Sequence, residues 1–204
     1  MKNDLFSIGP FTVHGYGLMI AIGVLSAYYM VEYRAKKKQM DWEKVFPLTV
    51  WSVLGGFLGS KILYLLTRLP DILANPALLG SSIKDGFVVY GGIIGGILTA
   101  WIYCKCTKWN FWKIFDIAMP AVAMAQGFGR IGCLLAGCCY GIELDPANPI
   151  GIVFHNSAYA PNDVALLPTQ IISSVLDFAN CFVLLALSKK LKTDGQVASC
   201  YLIF

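Results

Sequence analysis

Two stretches of the chain carry no charge at all: Gly15 to Val31, 17 residues, and Gly86 to Cys104, 19 residues. A helix rises 1.5 Å per residue, so about 20 apolar residues cross the roughly 30 Å hydrocarbon core of a bilayer, and both stretches have about that length. Three more stretches hold one charge each: Val45 to Thr67 with Lys61, Ile117 to Ile142 with Arg130, and Val164 to Ser188 with Asp177. They read as spans with one expensive residue apiece. Gly195 to Phe204 is apolar again, but such a short helix reaches only about 15 Å, so it reads as the start of a further span inside which the chain stops. The expected fold is an all-α polytopic membrane protein, a single integral membrane domain over residues 1–204 with five transmembrane helices plus the start of another.

Composition excludes other classes. With 57% hydrophobic and 14% charged residues, the chain is too apolar for an ordinary soluble domain. Its formal charge of +4 is spread between the apolar runs instead of forming one patch, so no nucleic-acid partner is expected. The seven cysteines cannot all pair, and Cys104, Cys133, Cys138, Cys139 and Cys181 lie within or at the edges of apolar segments, which argues against a secreted disulfide framework. Met1 to Gly9 has one basic residue and no apolar core, so it is not read as a cleavable signal peptide.

The short connections orient the spans, because Lys and Arg accumulate on the cytoplasmic side. Arg34, Lys36, Lys37, Lys38 and Lys44 follow the first span, Lys105, Lys108 and Lys113 the third, and Lys189, Lys190 and Lys192 the fifth. The alternate segments hold only Lys2, Arg68 and Lys84. The N-terminus is therefore expected outside. In that orientation Arg130 and Lys61 lie roughly 20 and 24 Å along outward-running spans, in the outer part of the membrane. His14, Tyr90 and Gln170 fall at the outer ends of their segments. Five polar side chains from five spans are thus expected at similar depth.

Each candidate has a bland reading beside its functional one. An arginine inside a span costs at least ~2.5 kcal/mol and needs a partner or a wet cavity. Arg130 lies in Gly127-Phe-Gly-Arg-Ile-Gly132, where backbone can approach closely, and a guanidinium fork matches a phosphate; the alternative is a structural ion pair. Lys61 either binds substrate or snorkels to the interface. His14 is a general-base candidate or an interfacial residue, whereas His155, in a loop, reads as solvent-exposed. Tyr90 precedes Gly91-Gly92-Ile-Ile-Gly95-Gly96, a pattern that lets helices close, and its hydroxyl serves either substrate or the interface. Cys133-x-x-x-x-Cys138-Cys139 lacks the paired spacing of a zinc site, so packing is favoured and no metal or cofactor is expected. Asp177 falls near mid-membrane and reads as protonated or hydrogen-bonded to a neighbouring helix.

Together these residues resemble the bacterial prolipoprotein diacylglyceryl transferase family. Phe6-Ser-Ile-Gly-Pro10 with His14-Gly-Tyr16-Gly-Leu-Met19 is similar to its N-terminal motif, and Asp85-Gly-Phe-Val-Val-Tyr90-Gly91-Gly92-Ile-Ile-Gly95 to its third-span motif. Gly129-Arg130-Ile-Gly132 leading to Ala136-Gly-Cys-Cys-Tyr-Gly141 resembles the signature, and Leu167-Pro-Thr-Gln170 the start of a later span. The resemblance implies a multi-pass enzyme of the bacterial cytoplasmic membrane. Its partners would be membrane lipid, with phosphatidylglycerol as diacylglyceryl donor, and the signal-sequence cysteine of a prolipoprotein, which becomes a thioether. It implies catalytic roles for Arg130, Tyr90 and His14, and substrate contacts from Arg130, Lys61, Tyr16, Gly91, Gly92 and Gln170. Tyr90 stands where many members carry histidine, Cys133 and Cys138 where asparagine and glutamate are common, and Ile172-Ser173 where a Tyr-Glu pair is usual. The chain ends before the family's second arginine. A non-catalytic lipid-binding paralogue and a small membrane transporter are the alternative readings.

Overall fold

The computed structural model describes residues 4–8, 11–75, 80, 86–191 and 193–203. A hairpin of β1 (Asp4–Ile8) and β2 (Phe11–His14) comes first, antiparallel, with Ile8 opposite Phe11 and Asp4 opposite His14. The helices follow: α1 (Gly15–Lys37), α2 (Val45–Thr67), the short α3 (Leu69–Ala74), α4 (Val89–Cys106) and α5 (Phe111–Ala136). A loop carries the two-residue strands β3 (Ile152–Val153) and β4 (Ala165–Leu166), and α6 (Thr169–Lys190) and α7 (Gln196–Ile203) complete the chain. Five of these helices have the length and apolarity to cross a membrane, as expected of a polytopic all-α protein.

Helix ends explain where the expected spans shift. α2 keeps its expected bounds, but α1 runs on through its charged end to Lys37, closing in a Schellman motif in which Met40 N–H bonds Ala35 O and Gln39 adopts φ 53°. α4 closes the same way, with Trp109 N–H on Cys104 O and Lys108 at φ 57°. α5 starts at Phe111, ahead of Ile117, since Lys113 and Asp116 are accommodated within its first turns. It stops at Ala136, because Gly137, at φ 72°, turns the chain left-handed and Cys138 N–H returns to Cys133 O at 3.0 Å. α6 begins at Thr169, not Val164: Ala165 and Leu166 are strand β4, and Pro168 supplies the carbonyl for the first turn.

The chain divides into two compact units, residues 1–34 with 115–204 and residues 35–114. In the first, Ala123, Cys181, Leu184 and Val197 are buried together, so α5, α6 and α7 share one core, with Met30 of α1 packed on it. α7 is held by a residue from elsewhere. Gly195, which precedes it at φ 95°, has no side chain to cap with, and Asp116 of α5 does the work instead: its two carboxylate oxygens accept from Gly195 N and Ala198 N, both at 2.8 Å. Asp116 is only 4% exposed, and Arg34 Nη2 donates to its carbonyl at 3.4 Å. A separate cluster of Phe154, Ala160 and Leu166 forms the core of the loop between α5 and α6.

In the second unit α2 and α4 pack through glycine. The carbonyl of Gly91 lies where a Cβ on Gly59 would sit, Gly55 and Gly95 meet in the same way, and Gly59 Cα is 3.0 Å from the Cβ position of Gly95. Such contact is possible only where neither helix carries a side chain. The outward residues of both helices, Phe57, Leu58, Ile62, Ile94 and Leu98 among them, are large, apolar and exposed, as lipid-facing positions should be.

Candidate functional site

Within the first unit, the turn of α5 from Gly127 to Gly132 is gripped at both ends and open in the middle. Ser174 Oγ of α6 donates to Gly127 O at 2.9 Å, and the Phe178 ring covers the space where a Gly127 side chain would go. At the other end Gly132 faces α1, with Tyr16 Cδ2 3.2 Å and Met19 Cβ 3.3 Å from its Cβ position. At Gly129 nothing approaches within 4 Å. Arg130, next to that opening, is exposed and makes no hydrogen bond or ion pair among the described residues of its unit. Asp177 of α6 lies within electrostatic reach of it without forming a bonded pair. A cation thus stands on an apolar helix next to open space.

The other expected residues are placed as follows. Tyr16, 42% exposed at the start of α1, leans on Gly132. His14 is exposed at the end of β2. Gln170 is 1% exposed: its Nε2 donates to Cys138 O at 2.8 Å, while Thr169 Oγ1 donates to Cys139 O at the same distance, so the start of α6 clamps the turn after α5. Its Oε1 is buried without a partner among the described residues. In the second unit Lys61 Nζ donates to Gly86 O at 3.1 Å and lies 4.6 Å from the Phe87 ring centre. Tyr90 is 74% exposed at the start of α4. Gly91 is buried against Gly59 and Leu63, and Gly92 faces Ser60, so both glycines serve the α2 and α4 contact. His155, exposed as expected, pairs with Asp163 at 2.6 Å.

One feature escaped the sequence reading, and a second was weighed there by its linear spacing alone. Asp116 resembles an interfacial acid, and the signal that could have exposed it is a downstream helix that opens on a glycine, whose own N–H needs an acceptor from elsewhere. The second is the cysteine cluster. In the Schellman turn Cys133 and Cys138 occupy the two positions that touch across the helix end, and Cys139, at φ 57°, brings a third sulfur so that all three Sγ atoms lie within 4.8 Å of one another. Burial, and then the Cys139 thiol, push the Cys138 thiol above its ordinary range.

Comparison with known proteins agrees with the sequence resemblance. The profile of the prolipoprotein diacylglyceryl transferase family matches residues 3–204. A phosphatidylglycerol–prolipoprotein diacylglyceryl transferase of Clostridium tetani is 44% identical over 204 residues, covering 100% of this chain and 80% of its own. A second protein of that name from Clostridium perfringens is 42% identical, covering 100% and 78%, and one from Dehalococcoides mccartyi is 31% identical, covering 97% and 75%.

Proposed function

The chain belongs to the prolipoprotein diacylglyceryl transferase family, and from that premise we propose that it moves a diacylglyceryl group from phosphatidylglycerol to the signal-sequence cysteine of a prolipoprotein. One observation carries the reading: Arg130 is a guanidinium with no hydrogen-bond or ion-pair partner among the described residues, on an apolar span beside the gap at Gly129. Such a charge is stable there only opposite an anion or water, and a lipid phosphate diester supplies the anion at membrane depth.

The reaction then follows from charge. The substrate thiolate attacks the glyceryl carbon that bears the phosphate ester. A carbon–sulfur bond forms, the carbon–oxygen bond breaks, and its electron pair leaves on the phosphate oxygen as glycerol phosphate. Two guanidinium N–H groups of Arg130 take up that growing charge, and in a low-dielectric setting they do so far more strongly than in water. The thiol proton goes to a base, for which His14 is assigned; Tyr16 is assigned to the headgroup, and Gln170, buried against Cys138, to holding the turn after α5 in place behind the site. Lys61, Tyr90, Gly91 and Gly92 of the second unit are assigned to substrate on the family resemblance, independently of the Arg130 geometry. Tyr90 offers a hydroxyl donor, and the two glycines set its position by closing α4 on α2.

The location that follows is the bacterial cytoplasmic membrane with the N-terminus outside, supported by the basic residues after the first, third and fifth spans. A periplasm-active reporter fused after Asp145 should work and one after Lys38 should not; the reverse pattern refutes the orientation. For the activity, the protein is placed in liposomes with phosphatidylglycerol and a lipobox peptide. A peptide mass gain of one diacylglyceryl group is expected. Lipid binding without any mass gain would replace the transferase with a non-catalytic lipid-binding protein.

A further inference from the structure

The turn that ends α5 presents three thiols whose sulfurs lie within 4.8 Å of one another, and we propose that Cys133, Cys138 and Cys139 form a binding site for one soft, thiophilic metal ion of the zinc type. Helix capping explains the first two, since the end positions of a Schellman motif touch for packing reasons alone. It does not explain the third. Cys139 is exposed, so it gains nothing from burial, and it adopts φ 57°, a conformation that is uncommon outside glycine. That conformation nonetheless brings its sulfur back to the other two.

Metal geometry fits the spacing. With metal–sulfur bonds of about 2.3 Å, sulfurs around a tetrahedral or trigonal ion stand about 3.8–4.0 Å apart, so a cluster already within 4.8 Å closes on an ion by side-chain rotation. The surrounding backbone is fixed before the ion arrives: Gln170 Nε2 and Thr169 Oγ1 hold the carbonyls of Cys138 and Cys139 at 2.8 Å, and Cys138 N–H is bonded to Cys133 O. The buried Oε1 of Gln170, unpartnered among the described residues, belongs to the same amide that grips Cys138, leaving an unused acceptor next to the cluster. Binding would expel the thiol protons to solvent and tie the end of α5 to the start of α6 through one ion.

The test uses the whole chain, purified in detergent with a non-thiol reductant and equilibrated with zinc chloride before dialysis. One zinc per chain is expected, and cadmium in its place should give thiolate-to-metal charge-transfer absorption. Cys133→Ser, Cys138→Ser and Cys139→Ser should each weaken binding by more than about 10-fold, since even changes outside the ligand shell cost that much. Cys104→Ser and Cys181→Ser should leave it intact. Because a serine variant could fail to fold, the wild-type chain is also alkylated with and without zinc and mapped by mass spectrometry; zinc should protect these three thiols and leave Cys106 reactive. Less than stoichiometric zinc, equal alkylation with and without it, or binding that survives all three substitutions would overturn the proposal. A disulfide joining two of the three under reductant would do the same.

Discussion

Gly59→Ala tests whether the contact between α2 and α4 depends on missing side chains. A Cβ at Gly59 would stand 2.9 Å from Gly95 Cα and overlap the Gly91 carbonyl. Carbon atoms prefer about 3.5–4.0 Å. Both obstacles are backbone, so relief requires the helices to separate, and overpacking of this kind costs ~1–3 kcal/mol. Alanine's higher helix propensity returns about 1 kcal/mol, leaving a net destabilisation of about 0–2 kcal/mol. Gly96→Ala supplies the control, for its nearest neighbour would be Ser52 O at an ordinary 3.5 Å; it should be neutral or stabilising by up to ~1 kcal/mol. The two variants should therefore differ by about 2 kcal/mol, roughly 30-fold in the unfolding equilibrium. All five tryptophans, Trp42, Trp51, Trp101, Trp109 and Trp112, lie in the second unit, so their fluorescence during an SDS titration in mixed micelles reports on the unit being perturbed. If Gly59→Ala proves as stable as Gly96→Ala, the helices do not meet through these glycines.

Three other outcomes follow from particular contacts. Asp116→Ala should destabilise the first unit by ~1–3 kcal/mol, because two backbone donors at the start of α7 lose their acceptor; hydrogen exchange across residues 195–203 should rise sharply, and Asp116→Asn should fall between. Arg130→Ala should abolish phosphatidylglycerol-dependent transfer with insertion unchanged, and Arg130→Lys should still lose at least about 10-fold in kcat/KM, since a point charge does not reproduce a bidentate fork; near-normal turnover in both excludes the phosphate role. Lys108→Gly should stabilise the second unit by about 0.5–1 kcal/mol, since glycine adopts φ 57° without the penalty lysine bears, and an unchanged midpoint in the same SDS titration would contradict this.

Sequence exposes the spans well because the bilayer imposes a length and penalises charge, and both quantities can be read residue by residue. Val45–Thr67 was bounded correctly for that reason. It misplaces ends set by hydrogen bonding: at the start of α5 Asp116 is not a stop signal but a partner for residues 79 and 82 positions away. Arg130 stands out as a lone charge in an apolar run, and what it meets is a tertiary matter that only the packing at Gly127, Gly129 and Gly132 displays. Gln170 was legible as a polar residue at a span start, but its grip on Cys138 was not. The cysteines were judged by their linear spacing, whereas the left-handed turn at Gly137 and Cys139 folds that spacing back on itself.

The capping of α7 by Asp116 also carries a timetable. Synthesis reaches residue 116 well before it reaches Gly195, 79 residues later, and at about 5–20 residues per second the interval is about 4–16 s. Through that interval the carboxylate has no Gly195 or Ala198 amide to accept from, so it must be served by water or by the insertion machinery while α5 and α6 enter the bilayer. Docking of α7 removes it from that shared hydration and buries it to 4% exposure. α7, synthesised after α5 and α6, thus completes a capping arrangement begun by α5, and assembly of this unit is a closure across the growing chain, not a string of spans each finished as it arrives.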